Sequence, residues 1–195
     1  MWNFNIDKVN LFAYQEASFT KEECKKIIDI SKNKKLIEGT TTDGITTNID
    51  YSKIRKSKIC WLYSHEEEVA WIYQRITDIV LSLNIQFFQF DLFGISEALQ
   101  FTNYKAPGGK YGKHIDRTYG IPVRKLSVSI QLTDPKKYEG GELKLYNGED
   151  ENAIVMNKNQ GSLIVFPSYV LHEVMPVTKG ERNSLVTWVS GNQFK

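Results

Sequence analysis

His114 and Asp116 stand two residues apart in Lys113-His114-Ile115-Asp116, just after a glycine-rich turn. In an extended strand residues i and i+2 share a face, so an imidazole and a carboxylate at this spacing can grip one ion from one side. His172 follows between two strand-like runs, and Arg182 comes ten residues after it. Two of the chain's three histidines belong to this set. Two imidazoles and one carboxylate on one face of a metal leave other coordination positions open, which is the ligand set of non-haem Fe(II) oxygenases.

The remaining residues of the constellation fit an anionic cosubstrate. One that chelates iron through a carboxylate and a keto oxygen leaves its far carboxylate to be anchored, and the planar fork of Arg182 suits that task. Ser184, two residues on, would share the face of Arg182 in a strand and offer a hydroxyl. Tyr104, ten residues before His114, can add a phenolic donor. Each has an ordinary reading: His172 as a satisfied histidine beside Phe166-Pro167, Arg182 as a surface charge, Tyr104 as a core aromatic. A His-x-Asp triplet alone is weak evidence. Their common order and strand-compatible spacing in a histidine-poor chain carry the argument.

The elements that must position these residues fall into two parts. Thr20-Lys21-Glu22-Glu23 fits a capping box, predicting a helix with Cys24, Ile27, Ile28 and Ser31 inward and the following lysines as its solvated face and tail. Residues 38 to 55, rich in Thr, Gly, Asp and Asn, read as a mobile surface loop with a functional role. Lys56 to Tyr63 suits a strand. Ser64 and Glu67 make a second capping box ahead of Val69, Ile72, Tyr73, Ile76, Ile79, Val80 and Leu83, the clearest amphipathic helix. His65, in the first turn of that helix, reads as a solvent-facing side chain.

From Phe87 the period turns extended. Strands are expected over Phe87 to Phe93, Ala98 to Tyr104, Leu126 to Thr133, Glu142 to Tyr146, Ala153 to Met156, Ser162 to Phe166, His172 to Val174 and Ser184 to Ser190, with turns at Pro107-Gly108-Gly109, Asp134-Pro135, Gly140-Gly141 and Asn147-Gly148. Short strands at this spacing point to a jelly roll rather than a parallel sheet. The fold class is thus mainly β with N-terminal helices (α+β). The chain reads as a single domain over residues 1–195, with residues 1–86 as helical support and 87–195 as the jelly-roll core. Along Leu126 to Thr133 the alternation is sharp. Its polar face (Ser127, Ser129, Gln131, Thr133) is either the solvated side of a sheet or the lining of an internal cavity.

Composition excludes several classes. Charged residues make up 25% and the net charge is +2, without the basic excess of a dedicated nucleic-acid binder. Cys24 and Cys60 are the only cysteines, so neither a disulfide scaffold nor a zinc site is indicated. The N-terminal residues lack a signal-peptide pattern and no apolar run approaches a membrane span, so the expectation is a soluble cytoplasmic protein without a membrane partner.

Three segments carry a family resemblance: Tyr104 to Asp116 (YKAPGGKYGKHID), Gly140 to Leu143 (GGEL), and Gly161 to Trp188 (GSLIVFPSYVLHEVMPVTKGERNSLVTW). Together they resemble the prolyl 4-hydroxylase-like branch of the Fe(II)/2-oxoglutarate-dependent dioxygenases, and Phe19 to Cys24 resembles the helix start that commonly opens that family. The resemblance implies a double-stranded β-helix with helices packed outside. It implies His114, Asp116 and His172 as the iron triad and Arg182 as the clamp on the far carboxylate of 2-oxoglutarate. Tyr104 falls where the family often has a cosubstrate-binding tyrosine, and Gln131 where some members have a second one. Leu143 and Trp188 match positions that wall the pocket. Many animal and plant prolyl hydroxylases have lysine at the place of Arg182, so the arginine sets this chain nearer the bacterial, viral and oxygen-sensing relatives and weakens the case for a collagen-like substrate.

The activity so implied is hydroxylation of an unactivated C–H bond, with a prolyl residue in a peptide or protein as the leading substrate. Fe(II), 2-oxoglutarate and O2 would be required, ascorbate would serve as reductant, and succinate and CO2 would be co-products. A small-molecule substrate stays open. Two rivals are a nucleic-acid alkyl demethylase using the same cofactors, disfavoured by the near-neutral charge, and a non-catalytic jelly-roll binding module. The 38 to 55 loop and the Pro107 to Lys113 turn border the expected mouth, where Arg55, Tyr111 and Arg117 are open to two readings, substrate contacts or, the favoured one, surface side chains.

Overall fold

The computed structural model describes residues 10–40, 51–117, 122–148 and 152–193. The first nine residues and most of the polar stretch expected as a mobile loop, residues 41–50, lie outside them. The chain passes through β1 (Ala13–Gln15), α1 (Lys21–Lys32), β2 (Ile37–Glu38), one helical turn α2 (Tyr51–Ile54), β3 (Arg55–Lys56), β4 (Lys58–Leu62) and α3 (Ala70–Leu83). Strands then dominate: β5 (Leu92–Ile95), β6 (Leu99–Lys105), β7 (Gly109–His114), β8 (Arg124–Gln131), β9 (Tyr138–Gly140), β10 (Leu143–Tyr146), β11 (Ala153–Val155), β12 (Leu163–Pro167) and β13 (His172–Gly191). The architecture is the mainly β one expected, with α1 and α3 against one face.

All strand pairings are antiparallel, and β13 joins the two halves of the fold. Its second part, from Glu181, pairs with β6, β8 and β5 in a major sheet ordered β1-β12-β8-β13-β6-β4-β2. Its first part pairs with β7, β9 and β10, which with β3 and β11 make a minor sheet. Two strands, at His172 to Val174 and Ser184 to Ser190, were expected where this one strand of 20 residues runs. The polar Lys179-Gly180-Glu181-Arg182 stretch resembles a turn but is held in the ladder by Tyr138 and Glu139 on one side and Tyr104 and Lys105 on the other.

The capping box at the start of α1 forms as expected. Thr20 Oγ1 accepts from the Glu23 amide at 3.1 Å, and Glu23 Oε2 accepts from the Thr20 amide at 2.8 Å. Cys24, Ile27, Ile30 and Ser31 face inward, with Ile28 only half-buried. The second capping box does not form: α3 starts at Ala70 after Val69, which has no side-chain cap. Residues 63–69 are instead turns closed by Glu66 N–H on the Tyr63 carbonyl and Val69 N–H on that of Glu66, while Lys34 takes the Glu66 carboxylate at 2.8 Å.

The strand expected over Phe87 to Phe93 is also displaced. A π-helical turn, Asn84–Phe88, extends α3, and the strand starts only at Leu92. The buried Asn84 amide donates to the Phe90 carbonyl at 2.9 Å and accepts from the Phe90 amide at 3.0 Å, holding the chain in this wide exit. The small strands β1, β2, β7 and β9 were not anticipated. Strands β1, β2 and β4 from the first 86 residues enter the major sheet and β3 the minor one.

One apolar core lies between the major sheet and the helices, where Leu126, Val128, Ile130 and Leu132 join Leu99, Phe101 and Leu185 against Ile27, Ile72 and Ile76. At about 1.5–3 kcal/mol for each large aliphatic side chain buried, this face has to turn to the helices. The opposite face then points between the sheets. Ser127 and Ser129 line an internal cavity, Gln131 meets Arg182 and Thr133 accepts from the Asn183 amide at 2.8 Å. The polar face is therefore buried between the sheets, with Ser127 and Ser129 lining the cavity and Gln131 and Thr133 outside its lining, and is not a solvated sheet surface.

Candidate functional site

His114 ends β7 and His172 begins β13, and these strands pair so that the two histidines are direct neighbours. Asp116 lies two residues past β7, where its amide and that of Arg117 both donate to the Ser168 carbonyl, at 3.0 and 2.9 Å. The donor atoms of His114, Asp116 and His172 lie within 4.8 Å of one another. His114 Nε2 is 3.6 Å from Asp116 Oδ1, and His172 Nε2 is 3.4 Å from Oδ2.

Each imidazole is oriented by its other nitrogen. His114 Nδ1 is 2.7 Å from the Gly112 carbonyl and His172 Nδ1 is 2.9 Å from that of Val170. A carbonyl accepts only, so the proton sits on Nδ1 and the Nε2 lone pairs converge beside the carboxylate. Ser127 donates to Asp116 Oδ2 at 2.7 Å and contacts the Ser168 hydroxyl at 3.0 Å. Burial, and then His172, push the His114 imidazole down to about 4, so it is neutral at pH 7 and ready to ligate. Burial opposes ionisation of Asp116, but the two imidazoles and the Ser127 hydroxyl outweigh it and its carboxyl is lowered. Neutral imidazoles with a carboxylate fit a divalent first-row metal.

The triad lies in a cavity of about 300 Å³ that also holds Tyr104, Leu143, Arg182, Ser184 and Trp188. Arg182 is 1% exposed, yet no carboxylate among the described residues pairs with it. Its Nη2 donates to Gln131 Oε1 at 2.9 Å, its Nη1 to Ser184 Oγ at 3.3 Å, and its Nε has no hydrogen-bond partner. A buried cation facing neutral acceptors, with one donor unused, fits a site for an anionic group. The Tyr104 ring lies 5.4 Å beneath the guanidinium, and burial raises its phenol above the usual range. Gly141 makes room: at φ +65°, a side chain there would start 3.0 Å from Arg182 Cδ.

Several residues of this cavity were not singled out in sequence. Ser127 was readable only as one of four polar alternating residues. Arg124 donates bidentately to Glu97, with Nε at 2.6 Å from Oε1, lies 3.7 Å over the Trp188 ring and donates to the Asp116 carbonyl at 3.2 Å. Arg55, expected at the surface, is 7% exposed and lines the cavity, as does the half-buried Tyr111. The reason is the β3–β7 pairing, which folds Arg55 over Tyr111. Burial pushes the Tyr111 phenol up to about 12, so it stays neutral. Arg117 is half-buried and does not line the cavity; His65 is exposed as expected, but it lies in the turns before α3 rather than in that helix's first turn and stacks on Tyr63.

Residues 99–190 match the 2OG-Fe(II) oxygenase superfamily. A PKHD-type hydroxylase of Sphingopyxis alaskensis is 34% identical over 160 residues, covering 77% of this chain and 68% of that one. A second PKHD-type hydroxylase, from Gloeothece citriformis, is 44% identical over 95 residues, which are 47% of this chain and 42% of the relative, so that match spans under half of the relative's length. A prolyl-4-hydroxylase of Pseudomonas putida superposes with a TM-score of 0.71 at 22% identity, covering 94% of each chain. A prolyl hydroxylase from Trichoplax adhaerens, in complex with a hypoxia inducible factor oxygen degradation domain peptide fragment, superposes with a TM-score of 0.74 at 19% identity, covering 93% of this chain and 84% of that one. With its His-Asp-His cluster, and with a fold shared with solved prolyl hydroxylases, the chain belongs to the 2OG-Fe(II) oxygenase superfamily.

Proposed function

We propose that the protein hydroxylates an unactivated C–H bond of a prolyl residue in a peptide or protein, consuming 2-oxoglutarate and O2 and releasing succinate and CO2. The observation that carries this reading is the pairing, in one cavity, of converging His114, Asp116 and His172 donors with a buried Arg182 that has no anionic partner among the described residues. The peptide complex of the Trichoplax adhaerens hydroxylase, whose fold this chain shares, supports a peptide as substrate class.

His114, Asp116 and His172 would hold Fe(II), and bound iron with 2-oxoglutarate supplies the oxidising chemistry that converts C–H to C–OH. The protein's own residues bind and orient. Arg182 takes the far carboxylate, with Ser184 and Gln131 fixing the plane of its fork and Tyr104 closing one side. Leu143, Trp188 and Phe166 wall the cavity and exclude water from the reacting groups. Ser127 donates to Asp116 Oδ2 and so holds the orientation of the carboxylate that would ligate the metal.

The test is an anaerobic titration of the Fe(II)-loaded protein with 2-oxoglutarate, followed by aerobic incubation with proline-containing peptides and free amino acids. Gain of one oxygen atom by a peptide, with stoichiometric succinate, is the expected result. Absence of 2-oxoglutarate binding would overturn the reading, and oxidation of free amino acids alone would move the substrate class.

A further inference from the structure

The ring of the metal-site residue His114 is backed by a column of two further groups. Tyr111 stacks on the His114 imidazole with ring centres 3.5 Å apart and planes 15° apart. On the Tyr111 ring lies the Arg55 guanidinium, 4.5 Å from the ring centre.

Regular strand geometry forbids this arrangement, since residues three apart point to opposite faces. A β-bulge allows it. Opposite β13, Tyr111 pairs with Val174 and His114 with His172, so three steps along β7 face two along β13. The extra residue brings Tyr111 and His114 onto one face, and the Gly112 carbonyl within the bulge accepts from His114 Nδ1. Bulges re-aim side chains in this way next to functional sites.

Arg55 is held in place at the far end of the column. Its Nε donates to Ser57 Oγ at 2.8 Å, its Nη2 to Gln100 Oε1 at 2.8 Å and its Nη1 to the Thr40 carbonyl at 3.4 Å. Gly39 leaves the room, because a side chain there would start 2.7 Å from Arg55 Nε. Among the described residues every acceptor of Arg55 is neutral and no carboxylate pairs with it. The buried guanidinium lies over the Tyr111 π face, an attraction strengthened by removal from water.

We propose that Arg55 is a positioning residue for the metal site, acting through Tyr111 to hold the His114 ring in its ligating orientation. The inference rests on the metal-site reading given above. His114 has one face against the phenol and its Nδ1 on the bulge carbonyl, so both the plane and the rotation of the imidazole are set before an ion arrives. Loss of the guanidinium frees Tyr111 to tilt, and the imidazole loses its backing. Partners of this outer kind change metal affinity by roughly 10- to 100-fold.

The experiment measures anaerobic Co(II) binding, by titration and by the visible absorption of the bound ion, in the wild type, Arg55→Met, Tyr111→Leu, Tyr111→Phe and the double variant Arg55→Met/Tyr111→Leu. Arg55→Met and Tyr111→Leu should each raise the Kd by roughly tenfold or more and alter the Co(II) spectrum. Tyr111→Phe, which keeps the stack and loses only the hydroxyl, should bind with native affinity and spectrum. The double variant should be no weaker than the worse single, since both act through one column. Native affinity in Arg55→Met, equal losses in Tyr111→Phe and Tyr111→Leu, or multiplicative losses in the double variant would each overturn the proposal. Should Arg55→Met not fold, Arg55→Lys replaces it: charge without the planar fork should give an intermediate Kd, and native affinity there would overturn the proposal. Failure of the wild type itself to bind Co(II) would instead remove the metal-site reading.

Discussion

Arg182 reaches from β13 to Gln131 on the neighbouring β8, its Nη2 2.9 Å from Oε1, and this contact fixes the plane of a guanidinium that has no acidic partner among the described residues. Truncating one member of a buried charge pair costs about 2–5 kcal/mol. Arg182→Ala should therefore raise the Kd for 2-oxoglutarate by roughly thirty- to several-thousand-fold. Gln131→Leu, which leaves the charge but not its orientation, should cost roughly tenfold. Calorimetric titration of metal-loaded protein under anaerobic conditions checks both, and equal effects of the two substitutions would contradict the geometry.

Metal binding should depend on the ligands and on the residue behind Asp116. His172→Ala removes one of three donors and should abolish stoichiometric binding. Ser127→Ala removes the donor on Asp116 Oδ2 and should weaken binding by roughly 10- to 100-fold without unfolding the protein. Equilibrium dialysis against Co(II), read with far-ultraviolet circular dichroism, separates the two results.

The depressed His114 pKa sets a pH dependence for the metal-free protein. The imidazole protonates near 6.5 when unfolded and at about 4 when folded, so between these values the unfolded chain binds more protons. This contribution to stability is present above about 6.5 and is lost as pH falls toward 4. Thermal melting of the metal-free protein should show a steeper fall in Tm over that interval than His114→Gln does. Parallel curves would show that the imidazole is not held neutral.

Helix capping supplies a contrast away from the site. Thr20 caps α1 through its side chain, whereas Ser64 stands in a turn six residues ahead of α3. Thr20→Ala should lower stability by about 1 kcal/mol, and Ser64→Ala should stay within about 0.5 kcal/mol of the wild type. Urea denaturation measures both, and metal affinity should be unchanged in each.

How much of this was legible in sequence varied with the range of the interactions involved. The Thr20–Glu23 box and the alternation of Leu126 to Thr133 are local patterns and appear where expected. The Ser64–Glu67 pattern is equally local and fails, because the chain turns through residues 63–69 to lead from β4 into α3. Asn84 likewise extends the end of α3 through a side-chain clamp that periodicity does not register.

His114, Asp116, His172 and Arg182 were legible as candidates only as a set, because metal ligation and carboxylate clamping require particular side-chain chemistries that few residue types supply and each residue singly has an ordinary reading. Their convergence, the burial of Arg182 and the Arg55–Tyr111–His114 column were decided only in three dimensions. One strand, β13, carries His172 in the minor sheet and Arg182 in the major one, and a bulge in β7 turns Tyr111 toward His114. Register and bulges arise from pairing between segments far apart in the chain, and whether a charge is buried depends on what packs over it. Residue types therefore announce the chemistry of this site, while the pairing of distant strands determines which side chains reach it.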